Sequence, residues 1–278
     1  MREELANKWD RLKGILIPLG KVAVSFSGGV DSTLLLLAVR EALGPEQVLA
    51  VTARSHTLPD RELARARATA AELGVPHLEL EIDELADPEF RQNPPDRCYH
   101  CKKTRLREMA KEAAARGFFT IVEGTNRDDL SDYRPGLKAT EEAGARSPLL
   151  EAGLSKADIR ELSRAFGLAG WDRPAAACLA SRIPYGEEIT PARLQMVEEA
   201  EDYLADLGFA PVRVRHHGDL ARLEVAPADR GRLLEQADTV HERLTGLGFK
   251  FVALDLAGYR TGSLNRTLAH PAREQGES

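Results

Sequence analysis

The sequence predicts an α/β protein: a doubly wound, mostly parallel sheet with helices on both faces, followed by a smaller α+β domain. Three observations predict it. Short β-rich runs alternate with helical segments as far as Glu123, the pattern of consecutive βαβ units. A turn rich in glycine and serine, Ser27-Gly28-Gly29-Val30-Asp31-Ser32, joins the first strand to the following helix. Past Thr190-Pro191 the order changes to helix, two strands, helix, strand. The chain of 278 residues fits two domains at about 150 residues each. The boundary is expected near 186–190, giving domains 1–188 and 189–278.

The elements follow in order. Residues 1–20 read as a short helix closed by a turn at Pro18 and Gly20, and Lys21–Phe26 alternates as a strand. Asp31–Leu43 reads as a helix stopped by Gly44-Pro45, and Gln47–Ala53 as a second strand. Pro59–Leu73 is a helix closed by Gly74, and His77–Ile82 a third strand. Residues 96–116 form a helix ending at Gly117, before the strand Phe118–Glu123. A loop-rich stretch runs from Gly124 to Gly153. Ser155 is an N-cap for a helix ending near Gly167, and 168–188 read as irregular. Thr190-Pro191 opens a helix to about Leu207, with the cap and N1 proline that start helices. Strands Val212–Arg215 and Leu220–Val225 follow, and His216 and His217 fall in the turn between them as solvated residues. A helix from about Ala228 to Leu247 and a strand Phe249–Leu254 finish the pattern.

Composition narrows the class. Hydrophobic residues at 43% and charged residues at 29% are ordinary for a globular protein. No apolar run approaches the roughly 20 residues that span a bilayer, and the N-terminus lacks the apolar core of a signal peptide. A net charge of -6 argues against an overall basic nucleic-acid footprint. Three cysteines are too few for a secreted disulfide framework. These features lead us to expect a cytoplasmic enzyme with neither a membrane nor a nucleic acid as partner.

Between a strand and a helix, Ser27, Gly28, Gly29, Val30, Asp31 and Ser32 stand where a phosphate site belongs. Free N–H groups and the helix dipole attract anions there, and glycine lets the backbone approach them. The alternative is a plain glycine turn capped by serine. The sequence is neither a G-x-x-x-x-G-K-[ST] loop nor a dinucleotide G-x-G-x-x-G. A second loop, Gly124-Thr125-Asn126-Arg127-Asp128-Asp129, follows the fourth strand and should face the same crevice. Asp129 and Asp132, with Asp31 as a third, are candidate Mg²⁺ ligands, although an acidic solvated loop is the simpler reading of any one of them. Arg134 and Lys138 are placed to neutralise phosphate charge.

S-G-G-x-D-S resembles the signature of the PP-loop ATP pyrophosphatases, which have the adenine nucleotide alpha hydrolase-like fold. The resemblance implies that ATP is cleaved to AMP and pyrophosphate while a substrate oxygen is adenylated. The stretches DYRPGLKATEEAGARSPLLE, CLASRIPYG and PVRVRHHGDLARLEV extend the likeness over nearly the whole chain. They resemble the LarE family, sulfurtransferases of pyridinium-3,5-biscarboxylic acid mononucleotide in nickel-pincer cofactor assembly, which serves lactate racemase. The resemblance implies ATP and Mg²⁺ as cofactors and conversion of the two carboxylates to thiocarboxylates. It also implies a homo-hexamer or homo-trimer with contacts in the C-terminal domain.

Cys98 and Cys101 form C-Y-H-C at a helix start, and Cys178 lies in C-L-A-S-R. Thiolates bind iron–sulfur clusters and zinc alike. By resemblance to the three-cysteine subtype of the family, Cys98, Cys101 and Cys178 hold a [4Fe–4S] cluster with one open iron. The sulfur then comes from sulfide or a sulfur donor protein. In the single-cysteine subtype, the cysteine near position 178 gives up its own sulfur, which remains the alternative here. Asp31 and Cys178 are candidates for the chemistry, and Ser181 and Arg182 follow Cys178 closely enough to contact the same substrate. The resemblance places Glu201, Arg213 and Arg215 at the substrate phosphate. Arg213 and Arg215 share one face of a strand by alternation. Three rival readings remain: a tRNA thiolase of the same superfamily, an ammonia-using synthetase, and a nucleotide-binding protein with structural zinc.

Overall fold

The computed structural model describes residues 2–131, 135–173 and 177–260. Strands β1 (Val22–Ser25), β2 (Val48–Arg54), β3 (His77–Glu81) and β4 (Thr120–Val122) form a parallel sheet in the order β3-β2-β1-β4. Val22 stands opposite both Val48 and Thr120, which fixes the central register. The central strands are apolar on both faces, as a sheet covered on both sides requires. Val22, Val24, Val48 and Ala50 belong to one core, and Ala23, Leu49, Val51 and Ala53 to the other.

The first core is built against α1 (Glu3–Leu16), α2 (Val30–Leu43), α3 (Asp60–Glu72) and α8 (Lys156–Ala165). In α1, Leu5, Trp9, Leu12 and Leu16 form the buried stripe that helical periodicity demands. In α2, Leu34 through Val39 are all buried. The second core uses Leu106, Met109 and Ala113 of α5 (Arg97–Ala114). Short helices α4 (Pro88–Arg91), α6 (Gly136–Glu142) and α7 (Pro148–Glu151) lie in the connections. The stretch from Gly124 to Gly153 is therefore more helical than its loop-like composition suggested.

The second unit begins with α9 (Pro191–Asp206), capped by the Thr190 hydroxyl accepting from the Arg193 N–H. Antiparallel strands β5 (Val212–His217) and β6 (Leu220–Val225) follow. Then come α10 (Arg230–Leu234), α11 (Ala237–Gly246) and β7 (Phe251–Leu254), which pairs parallel to β6. Its separate core includes Leu204, Phe209, Val214, Leu223, Leu244 and Phe249. The single helix expected over 228–247 is two helices with a break at Glu235 and Gln236.

The chain divides into Met1–Phe90 with Asp96–Ala176, and Arg91–Pro95 with Ala177 onwards. Residues 177–188 thus go with the C-terminal unit rather than with the first, where the boundary at 188/189 would put them. The reason is hydrogen bonding within that unit: Arg182 donates to Glu201 of α9, and Arg215 of β5 donates to the Ser181 carbonyl. Residues 91–95 join it because Asn93 donates to the carbonyls of Ile183 and Pro184, and the Ile189 N–H donates to the Arg91 carbonyl. His216 and His217 also depart from expectation. They end strand β5 instead of lying in a turn, and His216 is 4% exposed against Phe249. Among the described residues, no helix is long and apolar enough to cross a membrane.

Candidate active site

The carboxyl ends of β1 and β4 open into a cleft of about 440 Å³. Ser27, Gly29, Asp31 and Ser32 line it from the first loop, and Gly124, Thr125, Asn126, Asp128 and Asp129 from the second. The two loops expected to converge do so. Contact is tight: a Cβ on Gly124 would stand 3.1 Å from the Ser32 nitrogen and 3.3 Å from the Asp31 Cβ. Gly28 points away from the cleft. Its φ of +72° and a 3.1 Å approach to the Ala66 backbone leave room only for glycine. Val30 opens α2 behind the loop.

Hydroxyls shape this loop. Ser32 Oγ donates to the Gly29 carbonyl at 3.0 Å and accepts from the Ser27 N–H at 3.3 Å. The Gly29 N–H donates to Ser27 Oγ at 3.3 Å. The loop is thereby held at the N-terminus of a 14-residue helix, where the dipole favours an anion. In the second loop, Asp129 accepts from the Asn126 N–H at 3.0 Å and Asp128 from the Lys156 N–H at 2.8 Å. Both carboxylates still line the cleft beside Asp31. Asp31, Asp128 and Asp129 are hard oxygen donors of the kind Mg²⁺ takes together with phosphate oxygens. Asp132 and Arg134 lie outside the described residues.

Two cations in the cleft were not singled out from sequence. Lys156, at the start of α8, pairs with Asp31. Lys102, on α5, pairs with Glu123 at 2.9 Å. Glu123 is buried and also accepts from the hydroxyls of Thr125 and Ser147. Burial alone would raise its carboxyl, but the Lys102 ammonium and the two hydroxyls hold it below the ordinary carboxylate value. Lys138 does not reach this site. It is exposed and engages Glu142 and the Tyr99 ring. The only sequence signal for Lys102 is its place four residues after Cys98, and Lys156 has only its position after the Ser155 cap.

The cysteines are free thiols. Cys98 and Cys101 occupy the first turn of α5, Cys98 exposed and Cys101 half-buried. Spaced three apart, they share one helix face, as a two-thiolate clip on one metal centre requires. Cys101 Sγ donates to the buried Glu84 at 3.9 Å, and Arg105 pairs with the same carboxylate at 2.6 Å.

Cys178, in the second unit, precedes a short turn of 3-10 helix, Leu179–Arg182. Arg182 closes that turn. Its Nη1 donates to the carbonyls of Ala177 at 2.7 Å and Cys178 at 2.9 Å, and to Ser181 Oγ. Its Nε and Nη2 donate to Glu201 at 2.9 and 2.8 Å. Glu201 also accepts from the Val214 N–H at 2.9 Å, fastening α9 to the edge of β5. Arg182 and Glu201 are therefore occupied in holding the Cys178 turn.

Arg213 and Arg215 share the sheet face away from the core, opposite Glu224 and Arg222. Arg215 pairs with the fully buried Glu224 at 2.7 Å and donates to the Ser181 carbonyl at 2.9 Å. Arg213 lies over the Tyr259 ring and makes no carboxylate ion pair among the described residues. Burial and the nearby Arg182 charge depress the pKa of its guanidinium. Of the two arginines expected at a phosphate, only Arg215 is held in a carboxylate ion pair among the described residues.

The NAD synthase family model matches residues 17–171, the part of the chain that carries the parallel sheet and the cleft. Over 264 residues the chain is 42% identical to the pyridinium-3,5-bisthiocarboxylic acid mononucleotide synthase of Lactiplantibacillus plantarum, covering 95% of this chain and 96% of the relative. It is 41% identical over 266 residues to an uncharacterized Synechocystis protein, covering 95% and 99%. A 61-residue stretch, 22% of this chain and 15% of the relative, is 46% identical to argininosuccinate synthase of Halobacterium salinarum. Because the match to the synthase runs through both units rather than the nucleotide domain alone, the chain belongs to the pyridinium-3,5-bisthiocarboxylic acid mononucleotide synthase family, on a nucleotide domain of the NAD synthase type.

Proposed function

We propose that this protein is an ATP-dependent sulfurtransferase that converts the carboxylates of pyridinium-3,5-biscarboxylic acid mononucleotide to thiocarboxylates. The observation that carries the proposal is the cleft at the ends of β1 and β4, where a serine–glycine phosphate loop, three aspartates and two lysines surround space for a nucleotide triphosphate. The named relative supplies the acceptor class.

In the first step a substrate carboxylate oxygen attacks the α-phosphorus of ATP. A new O–P bond forms, the bond to the bridging oxygen breaks, and its electron pair leaves with pyrophosphate. The loop N–H groups and Lys156 stabilise the charge gathering on that leaving group. Asp31, Asp128 and Asp129 are the residues that would hold Mg²⁺, which would neutralise phosphate charge, and Lys156 would then turn from Asp31 toward the phosphates. In the second step a sulfur nucleophile adds to the acyl carbon and the C–O bond to AMP breaks. AMP is a good leaving group because the phosphate keeps the electron pair. Arg213 binds the phosphate of the mononucleotide, and Arg182 with Glu201 fixes the backbone around Cys178.

Cys98, Cys101 and Cys178 are the residues that would hold a [4Fe–4S] cluster, and such a cluster with an open iron would supply bound hydrosulfide. The paired, accessible thiols on one helical turn support this donor set. Counting iron and sulfide after anaerobic reconstitution tests it. About four of each per chain, lost on Cys98→Ala or Cys178→Ala, is the expected outcome. Absence of iron, with a loss of sulfur mass at Cys178 after one turnover, would replace the cluster by sacrificial donation. Acceptor-dependent release of pyrophosphate and AMP, with a thiocarboxylate product by mass, tests the reaction itself. A homo-oligomeric, cytoplasmic enzyme is the accompanying expectation.

A further inference from the structure

The adenylation step carries an electrostatic cost. An anionic substrate must bring a carboxylate against a phosphate that is itself anionic, so a cation is needed at the meeting point. The phosphate loop supplies N–H groups to the phosphates, and Lys156 sits on that side, bound to Asp31 of the loop. Lys102 stands elsewhere. It enters the cleft from α5, at the end of β4, and its partner is Glu123 rather than a loop residue.

The surroundings of Lys102 suit a side chain that changes partner. Glu123 keeps the Thr125 and Ser147 hydroxyls when the ammonium turns away, so its buried carboxylate is not stripped of donors. The stem is guided as well. A Cβ at Gly136 would stand 3.2 Å from Lys102 Cδ and 3.7 Å from the Cys98 carbonyl, so glycine lets the start of α6 lie against both. Lys102 is also one turn after Cys98 on the same helix face. The ammonium therefore lines the cleft at the foot of the thiol-bearing turn.

We propose that Lys102 is a substrate ligand whose ammonium holds the reacting carboxyl group against the α-phosphate, on the side of the cleft that carries Cys98. This rests on the adenylation reading. Lys102 would lower the repulsion between carboxylate and phosphate during O–P bond formation, and would steady the acyl phosphate while the C–O bond to AMP breaks. It transfers no proton and forms no covalent bond.

The test is isotope exchange between pyrophosphate and ATP, dependent on added pyridinium-3,5-biscarboxylic acid mononucleotide. It is run on the full-length chain, with binding of a non-hydrolysable ATP analogue measured alongside. Lys102→Met is expected to slow acceptor-dependent exchange by about 100-fold. Affinity for the ATP analogue should stay within about threefold, and Lys102→Arg should restore part of the exchange. The double variant Lys102→Met/Glu123→Gln removes the carboxylate left without its cation and should show the same exchange defect if Lys102→Met is unstable. Unchanged exchange in Lys102→Met would overturn the inference. So would a loss of ATP-analogue affinity as large as the loss of exchange, which would make Lys102 a nucleotide ligand. If the unaltered protein shows no acceptor-dependent exchange, the adenylation reading fails and takes this inference with it.

Discussion

At the residue scale, the arginines of β5 separate two roles that sequence treats as one. Arg215 neutralises Glu224, which has no exposed surface, with Arg222 as the second partner at 3.1 Å. Arg215→Ala should therefore destabilise the protein by about 3 kcal/mol, read by chemical denaturation, because it leaves the buried Glu224 carboxylate with only the part-exposed Arg222 as its cation. Arg213→Ala should change stability by less than about 1 kcal/mol. Instead it should raise the KM for the mononucleotide by roughly 10- to 100-fold, the worth of a charged hydrogen bond. Gly124→Ala tests the approach of the two phosphate loops. A methyl group 3.1 Å from the Ser32 nitrogen must push the loops apart, so ATP-analogue affinity should fall while the sheet stays folded.

At the element scale, the start of α8 links the helix cap to the cleft. Ser155 and Asp158 form a reciprocal capping box, and Lys8 adds an ion pair to Asp158 at 2.9 Å. Burial works to raise the Asp158 carboxyl, but the Ser155 N–H, the Lys8 ammonium and the Ser155 hydroxyl outweigh it and hold the pKa at about 2. Its folded value is below the unfolded one, so its stabilisation is present above about pH 4 and is lost as pH falls toward 2. The stability gap between wild type and Asp158→Asn should accordingly narrow between pH 7 and pH 3 in denaturant melts. Ser155→Ala should cost about 1 kcal/mol. It should also loosen the turn that presents Lys156 to Asp31. Strand β5 responds at a different pH. Burial depresses the pKa of both His216 and His217, so the unfolded chain takes up protons first. Stability of the C-terminal unit should fall as pH drops below about 6.5. Replacing His216 by Gln should flatten that dependence.

At the scale of the whole molecule, two separate cores imply two responses to ligand. The cleft belongs to the unit with the parallel sheet, and the second unit has its own core around Phe209 and Phe249. An ATP analogue at 100 times its Kd should add about 2.7 kcal/mol to the unit that binds it. Hydrogen exchange should therefore slow in β1, β4 and α2 more than in β5 to β7. Uniform slowing across both units would show that they unfold as one.

Periodicity made the fold legible. Alternation in Lys21–Phe26 and Gln47–Ala53, and the capped helix at Thr190-Pro191, depend on neighbours in sequence and so could be read there. The phosphate loop was legible for the same reason: six consecutive residues carry their own turn, donors and helix start. Other features depend on residues far apart in the chain. His216 and His217 looked like a turn because their burial comes from Phe249 and the packing of β5. Residues 177–188 group with the C-terminal unit because Arg182 bonds to Glu201 and the Ser181 carbonyl to Arg215, partners 19 and 34 residues further on. Lys102 and Lys156 are unremarkable lysines until the sheet brings Glu123 and Asp31 to them. The sequence by itself determined the order of the strands, the nucleotide loop and the cysteine pattern, since each is a local pattern of spacing and side-chain chemistry. Only the tertiary structure decided which charges are already neutralised and which remain for a ligand, because a charge's partner is chosen by proximity in space.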